Sequence, residues 1–392
     1  MAPLGTAPAS LHPAAGSGLQ VFGWDIGGAH VKAALCQAGR VVDAMQWACP
    51  LWQGLAQLEP VLQAALQRWP QLQQPASLHA LTMSGEMVDA FAQREDGVRA
   101  ICQHLARALA PATVRIYAGD GGEAGSTGRP GWCSPAQAQQ HWAAVASANW
   151  LATARHLALA SPPGASAGVL VDIGSTTTDL IAFAAGRVLT SARSDHERLA
   201  SGELVYQGVA RTPLCALGPA LPWRGRAAPL MNEFFATTAD VYRLTGELDP
   251  AHDLHPAADQ GVKDLPATRQ RLARMLGLDA RDASTAEWQA LAQAWRQRQL
   301  QDLATALRQV LALHGLAPGG GLQLVQAGCG EFLVPALAEA LPAPGSPGAP
   351  VKVIRYAQRA LGPAAADPGL LTRVQVAAPA VAVAALLARE EA

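Results

Sequence analysis

Two short segments concentrate the residues able to do chemistry. VFGWDIGGAHVKAAL (21–35) and VLVDIGSTTTDLIAF (169–183) each run from apolar residues to an Asp, a Gly-containing turn and renewed apolar character. Asp25-Ile26-Gly27-Gly28 and Asp172-Ile173-Gly174-Ser175 are two versions of one device. A strand delivers a carboxylate to its end, and the following turn offers backbone N–H groups with few side chains in the way. Two such loops facing each other would grip a phosphate chain and its Mg²⁺, with Asp25 and Asp172 as the metal carboxylates. The candidate phosphate contacts are Gly27, Gly28 and His30 in the first turn, and Gly174, Ser175, Thr176, Thr177 and Thr178 in the second. Lys32 is the candidate for neutralising phosphate charge. The second segment has no such lysine and offers a run of hydroxyls instead.

Further acids end other strand-like runs. Glu86 follows Leu78 to Met83, and Asp120 follows Thr113 to Ala118 within AGDGG. Ligands of parallel α/β sheets bind beyond the carboxyl ends of the strands, so Asp25, Glu86 and Asp120 are expected to converge from one domain while Asp172 approaches from the other. Thr237, Asp240 and Arg243 share a stripe on a helical stretch rich in aromatics, either a core helix with a solvated edge or a substrate contact. Asp249, His252, Asp253, His255 and Asp259 are spaced closely enough to bind a cation, or to be a solvated connection.

Elements that position these residues follow from periodicity. The first domain reads as strands Val21–Ile26, Val31–Cys36 and Val41–Gln46, an amphipathic helix Gly54–Trp69, strand Leu78–Met83, helix Val98–Leu109, strand Thr113–Ala118 and a long helix from about Pro135 to Leu159. Ser161-Pro162-Pro163-Gly164 reads as the boundary. The second domain repeats the opening with strands Val169–Ile173, Asp179–Ala184 and Val188–Ser191, an internal-repeat signal. Helical periodicity then fills roughly 195–315, with MNEFFATTADVYRLTGEL as one helix ended by Gly246. Strand Leu322–Gln326, the turn Gly328-Cys329-Gly330, helix Phe332–Leu341 and strand Val351–Arg355 follow. The expected organisation is a disordered leader (1–18), an α/β domain (19–164), a related α/β domain with a helical insertion (165–375), and a C-terminal helix (376–392) packing back on the first domain around a central cleft.

Composition narrows the function classes. The chain of 392 residues is half hydrophobic, only 15% charged, and carries a net charge of −1, so neither a nucleic-acid footprint nor an acidic tail is present. The 6 cysteines are scattered without a CxxC pair, as for reduced, buried thiols. A leader without Lys or Arg and the lack of a long uninterrupted apolar run lead us to expect a cytoplasmic protein with small-molecule partners, no membrane or nucleic-acid partner, and a homodimer as an open option.

The paired Asp-Gly loops, with AGCGE as a third glycine motif, resemble the actin/sugar kinase/Hsp70 ATPase superfamily. Within it, FGWDIGGAHVKAA, LTMSGEMVD, YAGDGG, VASANW, VDIGSTTTDLI, RTPLCAL, NEFFATTADVYRLTGELD and AGCGEFL resemble the hydantoinase A-like branch. The closer resemblance is to its tetrahydromethanopterin-linked C1-transfer pathway family and the archaeal methanofuran-biosynthesis synthases. That resemblance implies two actin-like/ribonuclease H-like domains, adds Gly328 and Gly330 to the phosphate contacts, and implies a Mg²⁺-dependent transfer. An (aminomethyl)furanylmethyl group would pass from diphosphate to the phenolic oxygen of a glutamyl-tyramine or tyrosine-derived acceptor. Glu86 and Asp120 would then be candidate bases for the phenol, with Asp240 as the alternative. Ala29-His30 stand where kinase-like first loops have a hydroxyl residue. An ATP-dependent kinase or hydantoinase A-like hydrolase subunit is the alternative enzyme class, and a nucleotide-binding scaffold is the non-enzymatic one.

Overall fold

The computed structural model describes residues 18–119, 131–161, 167–318, 321–341, 351–362 and 367–392. Residues 1–17 of the expected leader, Asp120 and Pro162-Pro163-Gly164 lie outside the described residues. Contacts divide the chain into two compact units, one of Met1–Ala167, Ile181–Asp195 and Ile354–Ala392, the other of Gly168–Leu180 and His196–Val353.

The first sheet contains β1 (Gln20–Ile26), β2 (His30–Gln37), β3 (Arg40–Ala48), β4 (Ser77–Met83), β5 (Thr113–Tyr117) and β6 (Trp132–Cys133), ordered β3-β2-β1-β4-β5-β6. β1, β2 and β3 form an antiparallel meander, whereas β4 runs parallel to β1 and β5 parallel to β4. β1 and β2 are buried along almost their whole length, which is why they read as continuous apolar runs instead of alternating ones. Helices α1 (Leu58–Arg68), α2 (Arg94–Ala108), α3 (Trp142–Val145) and α4 (Asn149–Leu159) complete this part of the chain. Leu58, Val61 and Leu62 of α1 and Val98, Ile101 and Leu105 of α2 close a core over Phe22, Trp24 and Ile26.

The second sheet repeats the device. It contains β7 (Gly168–Ile173), β8 (Thr178–Ala184), β9 (Arg187–Val188) and β10 (Leu204–Val205), with β11 (Ala220–Trp223) and β12 (Arg226–Pro229) forming a separate hairpin, then β13 (Gln323–Ala327) and β14 (Lys352–Arg355). Its order is β10-β8-β7-β13-β14, with β9 also on β8 and β13 parallel to β7. Both sheets therefore have the ribonuclease H-like order, and the expected α/β class with two related folds and added helices holds. The repeat extends to turn chemistry. Ala38-Gly39 follows Asp25, and Ala185-Gly186 follows Asp172 at the same spacing, with φ of 48° and 74° in the first turn and 48° and 78° in the second. Positive φ at both central residues is the two-residue hairpin geometry that matches strand twist.

Around the second sheet lie α5 (Asp195–Ser201), α6 (Thr238–Thr245), α7 (Leu265–Arg274), α8 (Thr285–Leu313) and α9 (Val334–Glu339), followed by α10 (Tyr356–Leu361), α11 (Pro368–Val376) and α12 (Ala378–Glu390). α12 lies against β1, β2 and β4. Its small residues permit backbone contact: a Cβ at Gly23 would fall 1.9 Å from the carbonyl oxygen of Ala380. Among the described residues no single helix is long and apolar enough to cross a membrane.

Two expected helices differ, and two elements were not expected. The long helix from Pro135 is instead turns, α3 and α4, broken at Ala146–Ala148 where Ser147 has φ 50°. The helix expected over 231–248 begins only at Thr238, because Thr237 and Asp240 form a reciprocal capping box. The hairpin β11–β12 and helix α11 were not expected, since short Pro- and Gly-rich stretches give no periodicity.

Candidate active site

Asp25 is the penultimate residue of β1, directly opposite Lys32 on β2 and Thr82 on β4. The residue is only 3% exposed, and its Oδ2 lies 3.6 Å from the Lys32 ammonium. The turn that follows is closed by the Gly27 N–H donating to the His30 carbonyl at 2.9 Å. Ser84 and Gly85, just beyond β4, both donate backbone N–H groups to the Ile26 carbonyl. A Cβ at Gly28 would meet Val88 at 2.8 Å, and one at Gly85 would meet Leu51 at the same distance, so the two chain segments are pressed together. His30 is buried, whereas Gly27 and Gly28 are half-buried.

The second turn has the same construction. Asp172, also buried and next to last in β7, lies opposite Ala327 on β13. The Gly174 N–H donates to the Thr177 carbonyl at 2.8 Å, and the Gly330 N–H donates to the Ile173 carbonyl at 2.8 Å. Gly328 adopts φ 80°, and a Cβ there would fall 2.5 Å from Asp172 Oδ1 and 2.2 Å from the Ile173 carbonyl oxygen. Glycine is therefore required at the Asp172 carboxylate for both conformation and space. Behind the turn, Val209, Ala210 and Arg211 donate N–H groups to the carbonyls of Gly174 and Ser175. A Cβ at Gly208 would fall 2.4 Å from the Thr176 nitrogen. The Gly208 carbonyl accepts from Thr238 and Gln299, so α6 and α8 fix this brace.

Gly174, Ser175, Thr176 and Thr177 are half-buried, leaving their hydroxyl run partly open. Thr178 differs from the expected phosphate contact: it is buried and its hydroxyl donates to the Gln207 carbonyl at 2.7 Å. Arg211, which the sequence reading did not single out, places Nη1 3.3 Å from Thr176 Oγ1 and so supplies a cation beside this turn. Burial lowers its pKa, the ordinary penalty for taking a charge out of water.

Glu86, just past the end of β4, is fully buried. Desolvation pushes its pKa up to about 7; nearby Asp195 also raises it, while hydrogen bonds from its own backbone and Ser147, and the Arg94 charge, oppose the rise. A base poised near neutrality has the right proton affinity, but a substrate proton has no direct path to a fully buried carboxyl. Asp240 is corrected as a free base. It is 1% exposed, caps α6 through the Thr237 N–H, and receives Arg243 and Arg271 each at 2.8 Å on one oxygen. In the His252–Asp259 connection, Asp253 pairs with Arg243 and Lys263, and Asp259 with Arg271 and Arg274. These acids answer cations of the α6–α7 region. No cluster of three or more His, Cys, Asp or Glu able to hold a metal occurs among the described residues. Asp25 and Asp172 still offer the hard oxygen donors that Mg²⁺ prefers when substrate phosphates and water supply the rest of its shell.

Comparison with known proteins adds four findings. The family described as Hydantoinase/oxoprolinase matches residues 78–368. The (4-{4-[2-(gamma-L-glutamylamino)ethyl]phenoxymethyl}furan-2-yl)methanamine synthase of Methanocaldococcus jannaschii is 28% identical over 261 residues, covering 67% of this chain and 72% of that protein. A protein of the same name from Methanococcus vannielii is 41% identical over 73 residues, covering 19% of this chain and 32% of that protein. Among solved structures, Acidaminococcus fermentans (R)-2-hydroxyglutaryl-CoA dehydratase component A aligns with a TM-score of 0.43 at 10% identity, covering 95% of this chain and 98% of that one.

Proposed function

Because the chain belongs to the hydantoinase/oxoprolinase family, we propose that it is an enzyme that binds a phosphate-bearing small molecule at its Asp-Gly turns and transfers a group. The observation that carries this reading is the repeated construction. In both segments a buried Asp precedes a turn closed by the same glycine hydrogen bond and braced by a glycine N–H from the end of the next parallel strand. Structural turns alone do not require a carboxylate to be held at the same place twice.

The finer reading is a furanylmethyl transferase of methanofuran biosynthesis, coupling an (aminomethyl)furanylmethyl diphosphate to a phenolic oxygen and releasing diphosphate. The name of the relative aligned over two thirds of this chain supports it. So does Ala29, which gives the first turn no hydroxyl at the position where a kinase-like loop has one. Lys32 in the one unit is suited to stabilise negative charge on a diphosphate, and Ser175, Thr176 and Thr177 with Arg211 in the other offer their own contacts to phosphate oxygens. Mg²⁺ held by Asp25 or Asp172 would supply Lewis-acid neutralisation of the phosphates. A phenol ordinarily titrates near pH 10, so coupling at neutral pH also needs a proton acceptor.

The family match extends over more of the chain than either relative and favours a second reading, ATP-dependent activation of a small molecule as in a kinase or hydantoinase A-like hydrolase subunit. One experiment separates the two. The full chain is incubated with Mg²⁺ and either the furan diphosphate plus phenolic acceptors, or ATP plus the same acceptors and small amides. An ether product with stoichiometric diphosphate supports the transferase, and acceptor-dependent ADP supports the second reading. Nucleotide binding without turnover on any pair rejects both and leaves a scaffold.

A further inference from the structure

The break between α3 and α4 carries chemistry that the Asp-Gly turns do not use. Ser147 sits in the left-handed region at φ 50°, which costs a residue with a Cβ about 1 kcal/mol. That conformation accompanies a hydroxyl set between two carboxyl groups: Ser147 Oγ is 2.8 Å from Glu86 Oε1 and 3.1 Å from Asp195 Oδ2. A hydroxyl has a single hydrogen and can donate to only one of them. Both contacts are hydrogen bonds only when one carboxyl is itself protonated and donates to Oγ.

Burial decides which carboxyl that is. Glu86 is fully enclosed, and its Oε2 is buried with no hydrogen-bond partner among the described residues. Asp195, the first residue of α5, is half-buried and reaches solvent. Arg94 and Cys102, both on α2, also act on Glu86 electrostatically. An isolated buried carboxylate is far costlier than a half-exposed one, so the proton rests at the enclosed end.

We propose that Glu86, Ser147 and Asp195 form a proton relay that stores one proton on Glu86 and delivers it at Asp195. Delivery breaks the Glu86 Oε1–H and Ser147 Oγ–H bonds and forms a new Ser147 Oγ–H and an Asp195 Oδ2–H. Both hydrogen bonds persist with reversed polarity, and no other bond changes. Asp195 is then the group through which the stored proton exchanges with the surroundings of the enclosed Glu86. The relay stands whichever group the enzyme transfers, and it explains how a fully enclosed Glu86 exchanges protons at all.

Carbon NMR of the full chain with labelled Asp and Glu carboxyls tests it, with Glu86→Gln and Asp195→Asn assigning the two signals. The relay requires both carboxyl carbons to respond at one shared midpoint near neutrality, and Asp195→Asn to move the Glu86 midpoint to lower pH. Ser147→Gly keeps the left-handed backbone, removes the hydroxyl and is expected to separate the two midpoints by at least one pH unit. Infrared spectra should show a protonated-carboxyl carbonyl band at pH 6 that disappears by pH 9 and is missing in Glu86→Gln. Independent midpoints in the unaltered chain, a shared midpoint that survives Ser147→Gly, or no Glu86-dependent band at pH 6 would each overturn the relay.

Discussion

Replacing Glu86 by Gln removes a titrating carboxyl while keeping the side-chain volume and a group that can donate to Ser147. The carboxyl's ordinary value of 4.5 is raised to about 7 in the folded chain, chiefly because burial disfavours its charge. Below 4.5 the group is protonated in both folded and unfolded chains, and its stability contribution is fully present. Between 4.5 and about 7 the unfolded chain releases the proton and the folded chain keeps it, so stability falls as pH rises and levels off above 7. At 1.36 kcal/mol per pH unit, that window corresponds to a loss of about 3 kcal/mol. His79 and His156, each lowered to about 4 by burial, act in the opposite sense across part of the same range. The difference between the chain and its Glu86→Gln variant cancels them. Urea denaturation from pH 4.5 to 8 should therefore give a difference curve that falls by about 3 kcal/mol and flattens beyond pH 7. A flat difference curve, or one that rises with pH, would refute the buried, protonated Glu86.

Other substitutions separate structural from chemical roles. Gly328→Ala forces a Cβ against the Ile173 carbonyl and Asp172 at a positive φ; urea denaturation should show a loss of at least about 2 kcal/mol, with weaker diphosphate binding. Asp240→Ala leaves the fully buried Arg271 without its nearest carboxylate and should destabilise by about 3–5 kcal/mol, while the pH profile of turnover by the surviving folded fraction stays unchanged. Lys32→Ala should lower the turnover rate by roughly ten- to a thousandfold while thermal unfolding still shows a folded chain, and an unchanged rate would remove Lys32 from charge stabilisation.

Much of the architecture is legible in the sequence because the repeat is written in it twice. Asp25 and Asp172, Gly27 and Gly174, and Gly39 and Gly186 recur at equal spacing; both Asp residues are buried and next to last in their strands, and each glycine pair has the same hydrogen bond or turn. The long α8 lies within the helical periodicity read across 195–315, and the structure adds the Ser284–Glu287 capping box that starts it. What escaped is what depends on distant partners. Ser147 lies inside an alanine-rich stretch that favours helix everywhere locally, and only its contacts with Glu86 and Asp195 explain the break. Arg211 reaches Thr176 from far along the chain, with no local pattern to mark it. Asp240 looked available because nothing in its surrounding sequence announces Arg271. The capping box Thr237–Asp240 was the legible signal that should have shortened that helix.

Every step of the transfer proposed for this chain depends on phosphate binding at the Asp-Gly turns. Phosphorus NMR titration of the full chain with diphosphate and Mg²⁺ tests it most directly, because it needs no knowledge of the transferred group. Saturable, Mg²⁺-dependent binding is expected, weakened at least tenfold by Asp25→Asn and by Asp172→Asn with folding intact in both. Absence of binding, or binding that neither substitution changes, would contradict it.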